Sequence, residues 1–577
     1  MTGQSRELKG SEDLSMKQVR LKPAYWGILL TVVVALLVLS PLGLLAYQSL
    51  LSAPFFAPIK QVSLDAYRYV LTDPAFYRAL FNSFIIALGM VVIAVPAGTA
   101  LAFLVNKTDL PFRKAFELLL LTPVFVSPII LGIGFTIVFG PVGLVSNAFS
   151  GLFGGVPWSI YTLPSIAIIA GLLHVPYVYL YVSSTIRNLD ASLEEAARVS
   201  GAGIWTVAMN VTIPLVRPAV VYSAMLMLLL GFEIFGLPLV LGDSKGIDVI
   251  TTYLYRLTGV TGVPAYGPMA VVAVMLIILA LIIVGIQRKV LGETGSKYTS
   301  VGAKGYRSAR LKLGKAKWWI VLITAIYLLV TVILPVFGVV LRSFVTSWGA
   351  GVNLLDVLTL KNYTAVFTLP DLSRGVVNTF LVAAVGGFIA VGVYLTIASG
   401  ILRSTPGLKR TLDYLAGLPR SVPGLIMGLA FLWLFLFFKP VGFLRTTLVS
   451  LIIAYTIVWM PYGVRLLTAT LMQISKDLEE AARMVGASPL KAFQKITLPL
   501  LQGGLLSAWL LLFMQFVREY STGVYLLTPG TEVLGSLIVS LWATGAVDSI
   551  AALSTIQIVI ISIVYLIANK LGVKAGE

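Results

Sequence analysis

Leu193-Glu194-Glu195-Ala196-Ala197-Arg198, followed by Gly201 and then Val211-Thr212-Ile213-Pro214-Leu215, returns later in the same chain. The second copy reads Leu478-Glu479-Glu480-Ala481-Ala482-Arg483, Gly486, and Ile496-Thr497-Leu498-Pro499-Leu500, with every element displaced by 285 residues. Both copies fit E-A-A-x3-G-x9-[IV]-x-[IL]-P. Glu-Ala-Ala-Arg is strong helix-forming sequence, and Gly201 and Gly486 are placed to end that helix in a left-handed conformation. In the second copy Ser488 suits the cap of a following helix and Pro489 its first position. Pro214 and Pro499 are then expected to break the chain before the next apolar run. Each copy is therefore predicted to be a short helix-turn-helix bracket, a compact knob with no catalytic pocket.

Apolar runs of about 20 residues, the length that crosses a bilayer core, surround the brackets. Twelve are predicted: 26–48, 80–105, 115–140, 161–185, 218–241 and 266–287, then 318–341, 378–401, 413–438, 446–469, 502–525 and 549–569. Other landmarks repeat with the brackets. Leu64-Asp65-Ala66-Tyr67 and Asn82-Ser83 match Leu360-Lys361-Asn362-Tyr363 and Asn378-Thr379 at an offset of 296, which also carries Pro123 to Pro419 and Gly132 to Gly428. Pro176-Tyr177 matches Pro461-Tyr462 at 285, so eleven residues are missing from the second half between its third and fourth spans. An even number of spans per repeat gives both halves the same orientation, related by a pseudo-twofold along the membrane normal. The expected fold is all-α and polytopic, with about twelve transmembrane helices in two parallel six-helix repeats.

Composition agrees. Of 577 residues, 58% are hydrophobic and 11% are Asp, Glu, Lys or Arg, less than half the charged share of an ordinary soluble domain. There is no cysteine, and His174 is the one histidine, so zinc or haem centres built on nitrogen and sulfur ligands are excluded. The net charge of +18 follows topology and is no nucleic-acid footprint. With the N-terminus inside, cytoplasmic segments hold 29 of the 42 Lys and Arg, the bias that sets membrane orientation. The expected organisation is a cytoplasmic tail 1–25, a first repeat 26–290, a basic cytoplasmic linker 291–317 acting as a flexible, lipid-facing tether, a second repeat 318–570 and a cytoplasmic tail 571–577. No cleavage-type apolar segment precedes Trp26, so the first span is expected to remain as an anchor.

The paired brackets resemble the EAA loops of permease subunits in binding-protein-dependent ABC importers of type I, and the resemblance covers about 60–290 and 355–570. It implies that Glu195, Ala196, Ala197, Gly201 and Pro214, with Glu480, Ala481, Ala482, Gly486 and Pro499, form coupling segments that dock into ATPase subunits. Arg518-Glu519-Tyr520-Ser521-Thr522 and Thr528-Pro529-Gly530-Thr531-Glu532-Val533-Leu534 are similar to a stretch of fused, double-length ferric-iron permeases. Tyr520 stands where leucine is usual there, and Thr528 where serine is. Thiamine, polyamine, phosphonate and oxyanion permeases share the architecture, so those cargoes stay open beside ferric iron. The resemblance further implies two copies of an ABC ATPase, an external binding protein (periplasmic or lipid-anchored) that delivers cargo, and a bacterial or archaeal cytoplasmic membrane. No G-x4-G-K-[ST] is present, since Gly314-Lys315 is followed by Ala316. ATP and magnesium are thus expected on the partners, and no cofactor, catalytic residue or metal ligand set on this chain.

Ionisable groups inside spans are functional candidates by default. Glu233 lies in span 5 and Arg518 and Glu519 in span 11. They either face the passage between the halves or fix packing, through an Arg518–Glu519 or interhelical ion pair. Arg420 and Arg465 are expected to snorkel to the interface, and His174 to be a packed residue. Pro123, Pro128, Pro419 and Pro423 mark broken or kinked helices in spans 3 and 9. A secondary transporter with six-plus-six spans would also satisfy the hydropathy, but its glycine–aspartate–arginine signatures are missing from Asn106–Leu110 and Arg403–Gly407. A membrane-embedded enzyme lacks the residues to build a site.

Overall fold

The computed structural model describes residues 4–189, 192–258, 264–295 and 310–571. Parts of both expected tails and of the linker, 1–3, 296–309 and 572–577, lie outside the described residues. Among the described residues, the chain is helical with only isolated bridges between extended residues. Eleven helices are long and apolar enough to cross a membrane: Tyr25–Ser49, Pro74–Lys107, Pro128–Phe153, Leu163–Arg187, Ile204–Glu233 and Tyr266–Val290, then Ala316–Ser343, Pro370–Arg403, Leu448–Met472, Leu490–Arg518 and Val547–Lys570. The pair Pro406–Ser421 and Gly424–Phe437, bent by 106° at its break, stands ninth in order and brings the count to twelve when taken as one broken span.

Four spans are broken: the third and ninth at prolines that marked them in the sequence, the fifth and eleventh where hydropathy gives no sign. The expected span 115–140 is broken. Helix Arg113–Phe125 ends at Val126, Ser127 is extended (φ −61°, ψ 134°), and Pro128 opens the next helix. A residue before proline is pushed out of the helical region, so Pro128 dictates Ser127. Pro423 dictates the same at Val422 (φ −120°, ψ 119°) in the ninth span. The fifth span stops at Glu233, where Ile234 is extended, and restarts as Gly236–Leu241. The eleventh stops at Arg518, and Glu519 is extended.

Pro214 and Pro499 do not break the chain as expected. A π turn at Ala208–Thr212 and another at Phe493–Thr497 carry the helix through each proline. Widening the turn to i→i+5 accommodates a ring that has no N–H to donate. The second arm of each bracket is therefore continuous with a membrane span, in Ile204–Glu233 and Leu490–Arg518.

The halves interlock. Within the first, spans 2 and 4 meet through small residues, and a Cβ at Gly98 would lie 2.6 Å from that of Val178, the close approach that drives helix association in lipid. Between halves, the opening span of each crosses to the other. Gly27 of span 1 abuts Ser404 and Leu408, Gly134 of span 3 abuts Pro335 of span 7, and Tyr327 donates to the Leu172 carbonyl at 2.9 Å. Leu29, Val32, Leu36, Trp319, Ile323 and Ile326 on these crossing helices are exposed, the apolar outer surface that hydrocarbon requires.

On the face opposite the brackets, the repeated Asn-Ser and Asn-Thr pairs fasten the segments that follow the broken fifth and eleventh spans. Asn82 Nδ2 donates to the Asp248 carbonyl (2.7 Å) and Ser83 Oγ accepts from Ile250 N (2.9 Å). Asn378 Nδ2 donates to the Glu532 and Gly530 carbonyls (2.9 and 3.1 Å), and Thr379 Oγ1 accepts from Leu534 N (2.7 Å). Burial pushes the Glu532 carboxyl up, but the Arg374 guanidinium and the Gly530 N–H outweigh it and hold the group below the usual glutamate value. Asn378→Ala leaves the buried Glu532 carbonyl without this donor, and unfolding free energy is expected to fall by about 1–3 kcal/mol. The melting temperature in detergent measures it.

Candidate coupling surface and translocation path

Both brackets form as expected. Helices Ser192–Val199 and Lys476–Met484 end at Gly201 (φ 84°) and Gly486 (φ 91°). The same two hydrogen bonds close each turn: Gly201 N to Arg198 O and Ala202 N to Ala197 O, then Gly486 N to Arg483 O and Ala487 N to Ala482 O, at 2.9–3.0 Å. That is the Schellman pattern, which positive φ at the glycine permits. Ser488 Oγ accepts from Lys491 N (3.3 Å) as its cap position suggested.

The outer surface of each bracket is apolar. Leu193, Ala196, Val199 and Trp205 are exposed in the first, and Leu478, Ala481, Met484 and Leu490 at the equivalent positions of the second. Val199 is 89% and Met484 87% exposed. Glu480 is exposed and Glu195 half-buried. Large apolar side chains this bare stand out on a bracket otherwise rich in charge.

The glutamate preceding each E-A-A, absent from the sequence-level candidates, is turned inward. Glu194 is buried against Lys107 (2.8 Å) and Thr212 (2.8 Å). Glu479 meets Arg403 (2.6 Å) and Thr497. The sequence did hold a signal for it: Lys107 and Arg403 lie 296 residues apart, and both glutamates and both threonines 285 apart.

The two broken helix ends carry the candidate pathway residues. Glu233 and Arg518, opposite in charge, occupy repeat-equivalent positions as the last residues of their helices. Arg518 Nη2 reaches across to the Tyr177 hydroxyl of the first half (3.2 Å), and the opposite charge acting on Glu233 is Arg420 of the second. Glu233 Oε1 and Arg518 Nη1 are buried with no hydrogen-bond partner, a costly state for groups with no further use. Beside them Gly236 N donates to the Tyr520 hydroxyl of the other half (3.1 Å), which closes the halves on one another at this point, and Tyr520 stacks on Phe235 (6.3 Å, 12°). A Cβ at Gly236 would sit 2.8 Å from the Tyr520 ring, so this closure depends on glycine.

Glu519 does not face the interface between halves. Its carboxylate accepts from Ser521 Oγ (2.9 Å), Thr522 N and Oγ1 (both 3.1 Å) and Trp459 Nε1 (3.2 Å), all in its own half. It also makes no ion pair with Arg518 in this geometry. It fastens the backbone where the eleventh span breaks, so packing accounts for it. His174 is buried, hydrogen-bonded to the Ala170 carbonyl (2.7 Å) and stacked on Tyr177, as expected. Arg420 and Arg465 are exposed and both act electrostatically on Tyr181 of the opposite half.

The model for a family described as "Binding-protein-dependent transport system inner membrane component" matches residues 94–291 and again 389–572. The chain is similar to the ferric transport system permease protein FbpB of Actinobacillus pleuropneumoniae, at 27% identity across 89% of this chain and 72% of that one. It is 28% identical to the putative ferric transport system permease protein FbpB 1 of Haemophilus influenzae, across 80% and 72%. A putative 2-aminoethylphosphonate transport system permease protein PhnU of Salmonella choleraesuis is 24% identical across 49% of this chain and 97% of its own. The two matched regions make up well over half of the residues, and the chain belongs to the binding-protein-dependent transport system inner membrane components, carrying the family's unit twice in one polypeptide.

Proposed function

We propose that this chain is the translocation subunit of an ATP-driven importer of ferric iron, fed by an external binding protein and worked by two ATPase subunits, one on each bracket. The observation that carries the reading is the pair of exposed apolar knobs at repeat-equivalent positions, Leu193, Ala196, Val199 and Trp205 with Leu478, Ala481, Met484 and Leu490. The chain has no phosphate-binding loop of its own, so the energy source sits on what docks there. Lysine and arginine bias places the brackets, both termini and the linker on the cytoplasmic side, which gives the ATPases access to cellular ATP. Arg420 and Arg465 act on Tyr181 of the opposite half, and the Gly236–Tyr520 contact joins the halves. Docked ATPases that close on ATP drive the brackets together, and the halves re-open on the outer face. Glu233 and Arg518 then stand in the passage. Ferric iron is favoured because the ferric relatives match across four-fifths or more of this chain, against half for the phosphonate relative.

The test is a detergent pull-down of the tagged chain from its native membrane, with mass spectrometry of partners and elemental analysis of any binding protein recovered. Two ATPase subunits per chain and an iron-loaded binding protein are the expected result. The same ATPase with a binding protein carrying a phosphonate, polyamine or thiamine replaces the cargo and keeps the mechanism. Recovery of no ATPase removes the reading.

A further inference from the structure

The inward glutamates do something that the E-A-A signature does not. Glu194 places one carboxylate oxygen 2.8 Å from Lys107 Nζ and the other 2.8 Å from Thr212 Oγ1. In the second half Arg403 Nη2 lies 2.6 and 2.9 Å from the two oxygens of Glu479, and Thr497 Oγ1 donates to the first of them. Lys107 and Arg403 are the last residues of spans 2 and 8. Thr212 and Thr497 are the last residues of the two π turns, immediately before the proline-bearing starts of the long helices of spans 5 and 11. One carboxylate in each half therefore ties three separate pieces together: the bracket helix, the end of one span and the start of another.

That tie addresses a mechanical weakness. Each bracket turns at a glycine and re-enters the membrane through a π turn, so a push on its tip would be absorbed as bending at those two joints. Pinning the bracket helix to two spans at once converts the push into movement of the spans. We propose that Glu194 and Glu479 are positioning residues for coupling, each the centre of a basic–glutamate–threonine clamp that carries bracket motion into spans 2 and 5, or 8 and 11. This rests on the reading that the brackets dock on ATPases.

The two clamps differ in setting. The side chains of Lys107 and Glu194 are 10% and 5% exposed, those of Arg403 and Glu479 48% and 24%. The difference comes from the linker. Its described end is no free tether, because Leu311 N donates to the Lys107 carbonyl (2.9 Å), Asp109 N to the Leu311 carbonyl (3.1 Å), and Leu313 N to Asp109 Oδ1 (2.8 Å). The segment joining the halves thus seals the first clamp and leaves the second open, with Arg403 lying 5.7 Å over the Phe493 ring. An exposed pair is screened by salt and a buried one little, so the first clamp is the less salt-sensitive one.

The experiment uses the full complex in proteoliposomes, with E194Q, E479Q, T212V and the charge-reversed pair K107E/E194K, and reads three quantities: ATPase retained, ATP hydrolysed and cargo moved. E194Q is expected to keep its ATPase and to hydrolyse ATP while cargo moved per ATP falls by about tenfold or more, the loss of one charge-assisted contact. K107E/E194K restores at least part of that ratio. E479Q, at the open clamp where folding is least at risk, shows the same signature at a smaller size. An unchanged ratio of cargo to ATP, with all three quantities falling together, shows a structural role and overturns the proposal. Loss of the ATPase from E194Q overturns it too, since the glutamate then belongs to the docking surface. A wild-type complex with no ATPase is the distinct failure, that of the functional reading itself.

Discussion

Replacing Val199 and Met484 together by aspartate is expected to strip the ATPase from the purified complex and bring transport to background, with the melting temperature of the chain unchanged. Both side chains are almost fully exposed on the isolated chain, so the folded state loses no packing. Burying such a side chain at an interface is worth about 1.5–3 kcal/mol, and an unpaired carboxylate in its place must be desolvated as well. The two sites act on two separate subunits. Each single variant is expected to weaken its own ATPase by about a hundredfold or more, since every 1.4 kcal/mol is a factor of ten. The quantities to measure are the ATPase-to-permease ratio after size exclusion and the uptake rate. Full retention of both ATPases in the double variant would show that these knobs face lipid or solvent and that docking lies elsewhere.

The second large effect separates two carboxylates that look alike in sequence. Glu233→Gln is expected to slow uptake by about tenfold or more with the complex intact, and Arg518→Gln to do the same, because each loses a charged group with an unmet polar atom in the passage. Glu519→Gln is expected to act on stability. Four donors converge on its carboxylate, and an amide turns an N–H toward some of them. Melting temperature falls, and transport falls only in proportion to the folded complex that remains. Uptake by E233Q equal to wild type removes Glu233 from the pathway. A fully stable but slow E519Q would exchange the two assignments.

Much of this was legible in the sequence because the membrane and the repeat impose strong patterns. Bilayer thickness requires apolar runs of a set length, and the 285-residue offset locates both brackets to the residue. What hydropathy misses is where a run breaks: Ile234 interrupts a helix without interrupting apolarity, and Ser127-Pro128 shows its break only through the proline. The prolines misled in the other direction. Pro214 and Pro499 read as helix breakers, and π turns carry the helix past them. Among candidate site residues, Glu233 and Arg518 stood out as charges in lipid. Glu519 stood out equally, and only its four short contacts show that it is already satisfied. Glu194 and Glu479 were hidden beside the signature residues, because a helix of eight or nine residues turns adjacent positions to different faces. Which glutamate points inward depends on span ends that are 76 to 87 residues away in sequence.

The most direct measurement is uptake of ferric iron into proteoliposomes holding the reconstituted permease and its ATPase, with the binding protein outside and ATP within or withheld. ATP-dependent accumulation of iron, lost when either the ATPase or the binding protein is omitted, is the expected result. Iron or other solute entering on a proton gradient with the purified chain alone, and indifferent to ATP, would contradict it and return the chain to the secondary transporters.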